Sequence, residues 1–311
     1  RKFIDKYSMR FRWCPAPDCT NLVEIKSKFV RDLATNLRNV PIVYCGLGHE
    51  FCFSCGYENH LPCPCVTVDD WIKKCSDDSQ TARWLDNNSQ PCPNCSLNIE
   101  KNGGCNHMKC WKCLEEFCWI CLRPWTQHNL YYNCNQYNPE EVESRLKTAS
   151  LERQSIQRYA HFYLRFAIHE SSMAGDAKTW LKVEEKMISF LETRKDKDIS
   201  WIDVQFLDLA IKQLTNGRKT LKWTYAFAYY LKNSNFAQIF EEMQNYLNQS
   251  VEDLLRIFEQ INDRENKNVT NNFVVKHKKK IKNLSRLIMM RQQNMVECAY
   301  HGLNQGLLKL E

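Results

Sequence analysis

The 311-residue chain has no long hydrophobic run, although 43% of its residues are hydrophobic. Its longest apolar stretches, such as Tyr225–Leu231, are far shorter than the roughly 20 residues that a membrane-spanning helix needs. The first residues, Arg1–Lys6, lack the apolar segment of a secretion signal. We therefore expect a soluble cytoplasmic protein with no membrane contact. The start without methionine, close to a cysteine cluster, indicates a fragment of a longer protein.

A strong charge of either sign is also missing. The net charge is +7, and residues 1–137 carry 16 Lys and Arg against 14 Asp and Glu. So small an excess argues against a nucleic-acid partner, because phosphate binding needs a basic footprint. The basic run Lys276–Lys282 is open to three interpretations: a nuclear localisation signal, a phosphate-binding patch, or a solvated helix face.

Cysteine is almost absent from the C-terminal part of the chain. Sixteen of the 17 cysteines precede residue 135, and the exception is Cys298. Disulfides would suit a secreted protein, whereas clustered Cys-x-x-Cys pairs with interspersed histidines are typical of zinc sites in a reducing compartment. The sequence therefore predicts zinc-stabilised modules before residue 135.

Ten potential zinc ligands crowd into residues 92–134, and two of them are surplus. A structural zinc ion takes four ligands, so two ions use eight. Two Cys-x-x-Cys knuckles can close one tetrahedron, and a third knuckle with one histidine and one cysteine can close another. The predicted ligands are Cys92, Cys95, Cys110 and Cys113 for one ion, and Cys118, Cys121, His128 and Cys134 for the other.

Cys105 and His107 are the two residues left over, in the loop Gly103–His107. A thiol and an imidazole that a zinc scaffold positions without using them as ligands are typical of a nucleophile and its base. Two alternatives stay open. The pair could ligate zinc in place of Cys110 and Cys113, or Cys105 could be a redox thiol, although its neighbouring cysteines are assigned to zinc.

The first 66 residues contain nine further candidate ligands, enough for two more ions and four zinc ions in all. A module of this size cannot bury enough apolar surface to fold alone, so metal binding contributes roughly 10 kcal/mol or more per site. We expect short strands and turns here. One ion takes Cys14, Cys19, Cys45 and a fourth group; the other takes Cys52, Cys55, His60 and Cys65, and His49 and Cys63 are the remaining candidates.

Residues 67–91 read as a linker with short helical pieces at Trp71–Cys75 and Thr81–Leu85, and Cys75 as a buried or idle thiol. The second module is rich in aromatic residues, which we interpret as its hydrophobic core rather than as a platform for nucleic acid. These aromatic residues are Trp111, Phe117, Trp119, Trp125, Tyr131 and Tyr132.

Residues 138–311 show helical patterning and predict an antiparallel helical bundle with short loops. Several boundaries follow from capping and breaking residues. The predicted signals are a first helix opening at Asn138-Pro139, N-caps at Ser200 and Ser250, a stop at Asn216-Gly217 before a separate helix Arg218–Lys232, and a last helix from near Thr270. The isolated histidines of this region suggest no catalytic site.

With these residues in view, the chain resembles the RING-between-RING ubiquitin ligases of the Ariadne subfamily. The resemblance covers nearly the whole chain and is most specific around the Gly-Gly-Cys-Asn-His-Met run. It rests on Trp13-Cys14-Pro15-Ala16-Pro17-Asp18-Cys19, Phe51-Cys52, Trp71–Cys75, Cys92-Pro93, Ile99–Cys110, Phe117-Cys118-Trp119, Tyr132–Asn135, Ser200–Leu207 and Tyr225–Lys232.

The resemblance implies zinc-stapled β/loop modules followed by an all-α domain. Residues 1–66 would be the in-between-RING (IBR) module, 67–91 the linker, 92–137 the catalytic second RING (RING2), and 138–311 the Ariadne helical domain; the first RING would lie upstream. The implied activity transfers ubiquitin from a conjugating enzyme, through a thioester on Cys105, to a lysine of a substrate protein. His107 would act as base and Glu116 would orient it. A neddylated cullin–RING ligase is an implied activating partner.

Two departures from the family pattern matter. The family usually supplies two cysteines one residue apart near Cys45, where this chain has Leu47 and where His49 is the substitute ligand. The Ariadne domain is expected to hold the second RING shut through an aromatic-acidic pair, which falls on Gly175 and Asp176, and through an acid at Glu252. The aromatic member is therefore missing. A zinc-stapled adaptor without enzymatic activity is the competing function.

Overall fold

The structure, a computed structural model, describes residues 9–26, 40–77, 89–101, 105–128, 137, 151–193, 201–262 and 267–310. Within these ranges it contains eight short β-strands, one 3-10 helix and five α-helices. The strands belong to two Cys/His modules, and four of the helices form a bundle against which both modules pack.

The first module is built from two antiparallel hairpins. Strand β1 (Phe11–Trp13) pairs with β2 (Leu22–Glu24), and β3 (Ile42–Tyr44) pairs with β4 (Glu50–Cys52). Each strand has three residues. Strands this short are marginal without further support, so the cysteine and histidine ligands at their ends are what hold the hairpins in place.

The second module repeats this arrangement. Strand β5 (Ser89–Pro91) pairs with β6 (Asn98–Glu100), and β7 (His107–Lys109) pairs with β8 (Glu116–Cys118). A 3-10 helix, Trp125–His128, follows β8. Of the predicted aromatic core, Phe117, Trp119 and Trp125 are buried. Trp111 is not part of that core, because it is 74% exposed on a knuckle; Tyr131 and Tyr132 lie outside the described residues.

Helix α1 (Cys65–Asp77) connects the first module to the bundle. It begins at Cys65, the last ligand candidate of that module, so metal binding and helix position are linked. Its Trp71 is fully buried and contacts Tyr159 and Tyr229 of the bundle, with ring centroids 5.8 and 5.4 Å away. The predicted helical piece Trp71–Cys75 is thus part of a longer helix, while Thr81–Leu85 lies outside the described residues.

Four long helices form the bundle. They are α2 (Leu151–Thr193), α3 (Trp201–Tyr229), α4 (Asn235–Asn262) and α5 (Lys267–Asn304). Their buried faces carry large apolar side chains at helical spacing, which explains why an amphipathic sequence forms a bundle here. None of the described helices is long and apolar enough to cross a bilayer.

Two predicted helix boundaries are wrong. Asn216-Gly217 does not end a helix, since α3 runs through it to Tyr229. A Cβ on Gly217 would lie 2.8 Å from Val251 and 3.0 Å from Ile288, so the glycine lets three helices approach closely. Ser250 is not an N-cap either: it lies inside α4, and its hydroxyl donates to the carbonyl of Tyr246 at 3.1 Å.

The last helix begins at Lys267, three residues before its predicted start near Thr270. The predicted helix opening at Asn138 and the predicted cap Ser200 lie outside the described residues. The predicted fold class, small zinc-binding β/loop modules followed by an all-α bundle, is confirmed.

A buried lysine ties the first module to the bundle. Lys222 of α3 is 4% exposed and forms ion pairs with Glu58 of the first module and Glu170 of α2. Its ammonium also lies 5.0 Å from the ring centroid of Trp223. A paired and largely desolvated lysine at this point favours one relative position of the two units, because their separation would take Glu58 away from the buried ammonium and leave it with Glu170 alone.

Candidate active site and zinc clusters

Four Cys-x-x-Cys knuckles close with the same hydrogen bond. In each, the backbone N–H that follows the second cysteine donates to the carbonyl of the first cysteine at 2.8–2.9 Å. That following residue has a φ between 57° and 83°, the left-handed region. This turn directs both thiols of a knuckle toward one point. The four pairs are Gly56 with Cys52, Ser96 with Cys92, Leu114 with Cys110, and Leu122 with Cys118.

Three tetrads of Cys and His result, and in each the four ligand atoms lie within 4.8 Å of one another. Thiolates bound about 2.3 Å from zinc at tetrahedral corners would lie about 3.8 Å apart, and the sulfur atoms of Cys92 and Cys113 are 3.6 Å apart. The donor sets and spacings therefore fit zinc. The tetrads are Cys14, Cys19, Cys45 and His49; Cys52, Cys55, His60 and Cys65; and Cys92, Cys95, Cys110 and Cys113.

His49 supplies the fourth group that the sequence left open. Its Nδ1 lies 3.4 Å from the sulfur of Cys45 and 3.6 Å from that of Cys14. Cys63 is fully buried and stands outside the three tetrads; its carbonyl accepts a hydrogen bond from His60 Nδ1 at 2.7 Å. That contact leaves His60 Nε2 to face the ligand cluster.

The fourth predicted site is only partly within view. Cys118 and Cys121 form a knuckle with the same geometry as the others. The side chain of His128 and all of Cys134 lie outside the described residues, so the predicted grouping of these four ligands stays a prediction.

Cys105 stands outside the three tetrads, while Cys110 and Cys113 lie inside one. The arrangement therefore favours the predicted pairing over the alternative in which Cys105 and His107 are the ligands. Cys105 is 4% exposed and lines a cavity of about 510 Å³ together with Met108, Trp111 and other residues of the second module. Glu259 of α4 also lines this cavity.

His107 is held beside Cys105 by the hairpin β7–β8. The backbone N–H of His107 donates to the Cys105 sulfur at 3.4 Å. His107 Nε2 lies 3.0 Å from a carboxylate oxygen of Glu116, and Lys109 pairs with the other oxygen at 3.2 Å. The ladder pairs Lys109 with Glu116, so the three side chains share one face of the hairpin.

Electrostatics set the state of this pair. The pKa of His107 lies below its ordinary value, chiefly because of burial, although Glu116 acts in the opposite direction. His107 is therefore a neutral imidazole near pH 7. If Nε2–H donates to Glu116, Nδ1 is the basic nitrogen. Burial raises the pKa of the Cys105 thiol well above its ordinary value, and the carboxylates of Glu252 and Glu259 add to this effect.

The bundle contacts the segment of Cys105 and Asn106, here called the reactive loop, through a carboxylate. The backbone N–H of Asn106 donates to Glu252 Oε2 at 2.9 Å, and the Asn106 side-chain amide donates to Oε1 at 3.3 Å. Lys101, just before the loop, donates to the hydroxyl of Ser172 on α2 at 3.1 Å. Ile168 of α2 also packs into the core of the second module.

A buried arginine connects Glu252 with a second buried acid of the bundle. Arg218 of α3 is fully buried, pairs with Asp176 of α2, and lies 3.5 Å from Glu252 of α4. Asp176 is 1% exposed, and burial raises its pKa. Gly175, in the place of the missing aromatic, precedes Asp176 on α2.

Sequence reasoning missed Arg218, Lys101 and the stacking role of Trp125. Sequence offered no strong signal for Arg218, because it stands beside Gly217 and Lys219 in a polar stretch just before the apolar segment of α3. Trp125 was assigned to the core alone. Its indole in fact lies parallel to the His107 imidazole, with centroids 4.2 Å apart and planes 19° from each other.

Fold and site together define a class: a zinc-binding protein of two Cys/His modules and a helical bundle, with a thiol outside the metal tetrads. Comparison with known families agrees. Residues 1–65 match the model of the IBR domain, a half RING-finger domain, residues 87–136 match a second IBR-domain model, and residues 157–309 match the Ariadne domain.

Similar proteins in several organisms are named E3 ubiquitin-protein ligases. The chain is 45% identical over 260 residues to E3 ubiquitin-protein ligase dbl4 of Schizosaccharomyces pombe, covering 83% of this chain and 50% of the relative. It is 42% identical over 258 residues to ariadne-1 of Drosophila melanogaster, covering 82% and 48%. It is 35% identical over 299 residues to ARIH1 of Homo sapiens, covering 95% and 50%.

The chain therefore belongs to the Ariadne-type RING-between-RING family of E3 ubiquitin ligases, as its sequence motifs predicted. It spans about half the length of the curated relatives that it matches.

Proposed function

We propose that this protein transfers ubiquitin from a conjugating enzyme to a substrate lysine through a thioester on Cys105. The proposal is carried by the position of Cys105: its thiol is outside the three described tetrads and is 3.4 Å from the backbone N–H of His107. His107 in turn is 3.0 Å from Glu116. The names of the relatives support the same activity.

In the loading step, the Cys105 thiolate attacks the carbonyl carbon of the ubiquitin thioester. A new C–S bond forms, the C–S bond to the conjugating enzyme breaks, and the departing thiolate takes the electron pair. The two thioesters are of similar energy, so a thiol that is only slightly ionised near pH 7 is sufficient.

In the discharge step, a lysine amine of the substrate attacks the same carbonyl carbon. The C–N bond forms, the C–S bond to Cys105 breaks with the electron pair staying on the departing Cys105 thiolate, and the surplus proton of the amine moves to His107 Nδ1. A positioned general base contributes roughly 10²–10⁴-fold to such a step. Glu116 stabilises the imidazolium that forms, because it already accepts a hydrogen bond from Nε2.

Zinc would be held by the Cys and His tetrads, where it supplies structural cross-links. The residues of the tetrads position the hairpins that carry Cys105, His107 and Glu116. The tetrad residues themselves take no part in the reaction.

The bundle autoinhibits the site in this proposal. Glu252 occupies the backbone N–H of Asn106, and Cys105 is 4% exposed. The tail of ubiquitin reaches the thiol only after the bundle moves away from the second module. Partners in this proposal are ubiquitin, a conjugating enzyme, a substrate protein and an activator such as a neddylated cullin–RING ligase.

The decisive test uses Cys105→Ser in the full-length protein carrying Glu252→Gln, which loosens the bundle, with Cys298→Ser in the same background as the matched control. The Glu252→Gln parent and the control should form a ubiquitin adduct that thiol reductant removes. Cys105→Ser should form an oxyester that resists reductant. A parent that forms no reductant-sensitive adduct, or a silent Cys105→Ala variant, would favour the zinc-stapled adaptor instead.

A further inference from the structure

The mechanism proposed above makes no use of an aromatic stack in the second module. The Trp125 indole lies against the His107 imidazole, with centroids 4.2 Å apart and planes 19° from parallel. Trp125 is 8% exposed and opens the 3-10 helix. Its neighbour Pro124 forms a β-bridge with Phe117 of β8, so the tryptophan is anchored to the same hairpin as the histidine.

The imidazole needs a second constraint beyond its hydrogen bond. The terminal torsion of a histidine side chain has a broad energy well, so packing and hydrogen bonds must set the ring plane. Glu116 holds one nitrogen only, its side chain is 43% exposed, and it is shared with Lys109. A hydrogen bond at one atom leaves rotation about that contact, whereas a parallel ring fixes the plane.

We propose that Trp125 is the positioning residue for His107, and that its indole holds the imidazole plane so that Nδ1 faces the thioester carbonyl on Cys105. This inference rests on the proposed function. Trp125 touches no reacting atom: the proton still passes from the amine to His107, as the C–N bond forms and the C–S bond breaks. Discharge therefore depends on Trp125, while loading, which needs no base, does not.

A variant at Arg256 of α4 distinguishes the positioning of His107 by Trp125 from autoinhibition by the bundle. Its guanidinium carbon lies 5.5 Å from the centroid of the Trp125 ring, so the bundle also contacts this tryptophan. In a protein from which the bundle has been released, Arg256 has left the site. Arg256→Ala should therefore leave single-turnover discharge unchanged, although it removes a contact of Trp125.

The experiment follows one turnover in the full-length, zinc-loaded protein carrying Glu252→Gln, so that the bundle does not block the loading of Cys105. Cys105 is first loaded from a ubiquitin-charged conjugating enzyme, the supply is then quenched, and loss of the thioester to free lysine is timed. Misplacing a catalytic group by about 1 Å costs about 10²-fold, so Trp125→Leu should slow discharge roughly 10- to 100-fold while loading changes little. Trp125→Phe keeps a flat ring and should retain most of the rate.

Trp119→Leu is the matched control. Trp119 is a buried tryptophan of the same module, 3% exposed, in the core cluster around Cys92 and Ile99. Its loss should slow loading and discharge by the same factor, since it acts on the stability of the module alone.

The outcomes separate this inference from the proposed function. Normal discharge by Trp125→Leu, with normal loading of the Glu252→Gln parent, overturns the positioning role and leaves the ligase activity standing. A Glu252→Gln parent without a thioester adduct overturns both. If Trp125→Leu loses zinc, NMR of histidine-labelled wild type decides: the ring protons of His107, assigned with His107→Asn, should be shifted upfield by the indole. Unshifted protons overturn the positioning role.

Discussion

The backbone N–H of Asn106 donates to the carboxylate of Glu252 at 2.9 Å, although 146 residues separate them in the chain. Asn106 directly follows the candidate nucleophile Cys105, and Glu252 is fully buried in the bundle. This contact joins the second zinc module to the bundle at the reactive loop. In the autoinhibition proposed above, the strength of this contact controls access to the thiol.

Glu252→Gln should expose Cys105. The substitution keeps the size of the side chain but removes its charge, and a charged hydrogen bond contributes about 1.5–3 kcal/mol. We expect Cys105 to be alkylated roughly 10- to 100-fold faster, measured peptide by peptide with mass spectrometry. Glu242→Gln, an exposed position on the same helix, is the control. Equal alkylation rates for the two variants would show that Glu252 does not hold the cover.

Arg218→Met should destabilise the bundle. It leaves Asp176 and Glu252 as buried carboxylates without their cation, which typically costs about 3–5 kcal/mol. In a domain of this size the midpoint of thermal unfolding should fall by roughly 10 °C. Adding Asp176→Asn should recover part of the loss, because one unpaired charge is removed.

Lys212→Met serves as the control for Arg218. Lys212 lies on the same helix in an exposed pair with Asp208 at 2.8 Å, and exposed pairs contribute about 1 kcal/mol at most. A similar fall for Lys212→Met and Arg218→Met would contradict the special role of the buried arginine.

Alkaline pH should weaken the cover over Cys105. Its pKa is raised in the covered state, chiefly by burial. The stabilisation from the neutral thiol is therefore complete below its ordinary pKa, about 8.5, and is lost as the pH rises toward the raised value. The alkylation rate of Cys105, followed from about pH 7 to about pH 10, should rise at higher pH in the wild type than in Glu252→Gln. Coincident profiles would rule out this coupling.

The two tetrads of the first module should differ in their effect on the bundle. His60 is fully buried, and its ring lies 5.9 Å from that of Trp223 on α3, whereas His49 is exposed. His60→Ala and His49→Ala should each lose zinc, measured by elemental analysis. Only His60→Ala should lower the unfolding temperature of the bundle, because α1 starts at its fellow ligand Cys65. Equal shifts would show that the bundle does not depend on this tetrad.

Short-range sequence patterns were enough to predict much of the fold. The Cys-x-x-Cys knuckles could be recognised because the turn that closes each one involves only four or five consecutive residues. The helical region could be recognised because its apolar residues recur at the helical period. Both signals are contained within short windows of sequence, and the structure shows both kinds of element.

The predicted helix boundaries were wrong where a local sequence signal conflicted with the tertiary structure. Asn216-Gly217 has the residues of a helix stop, yet α3 continues through it because Val251 and Ile288 pack against the glycine. Ser250 has the residue type of a cap, yet its hydroxyl bonds back to Tyr246 inside α4. In both places, packing between helices outweighed a preference worth about 1 kcal/mol.

Ligand counting in the chain alone already marked Cys105 and His107 as a surplus pair, because four ligands complete each zinc ion and the spacing of the knuckles assigns the rest. Burial of that thiol beneath Glu252, the bridge of Arg218 between two acids, and the indole stacked on His107 became visible only with the folded chain. These contacts join residues far apart in sequence, and they depend on how helices and hairpins are placed in space, which no short window of residues encodes.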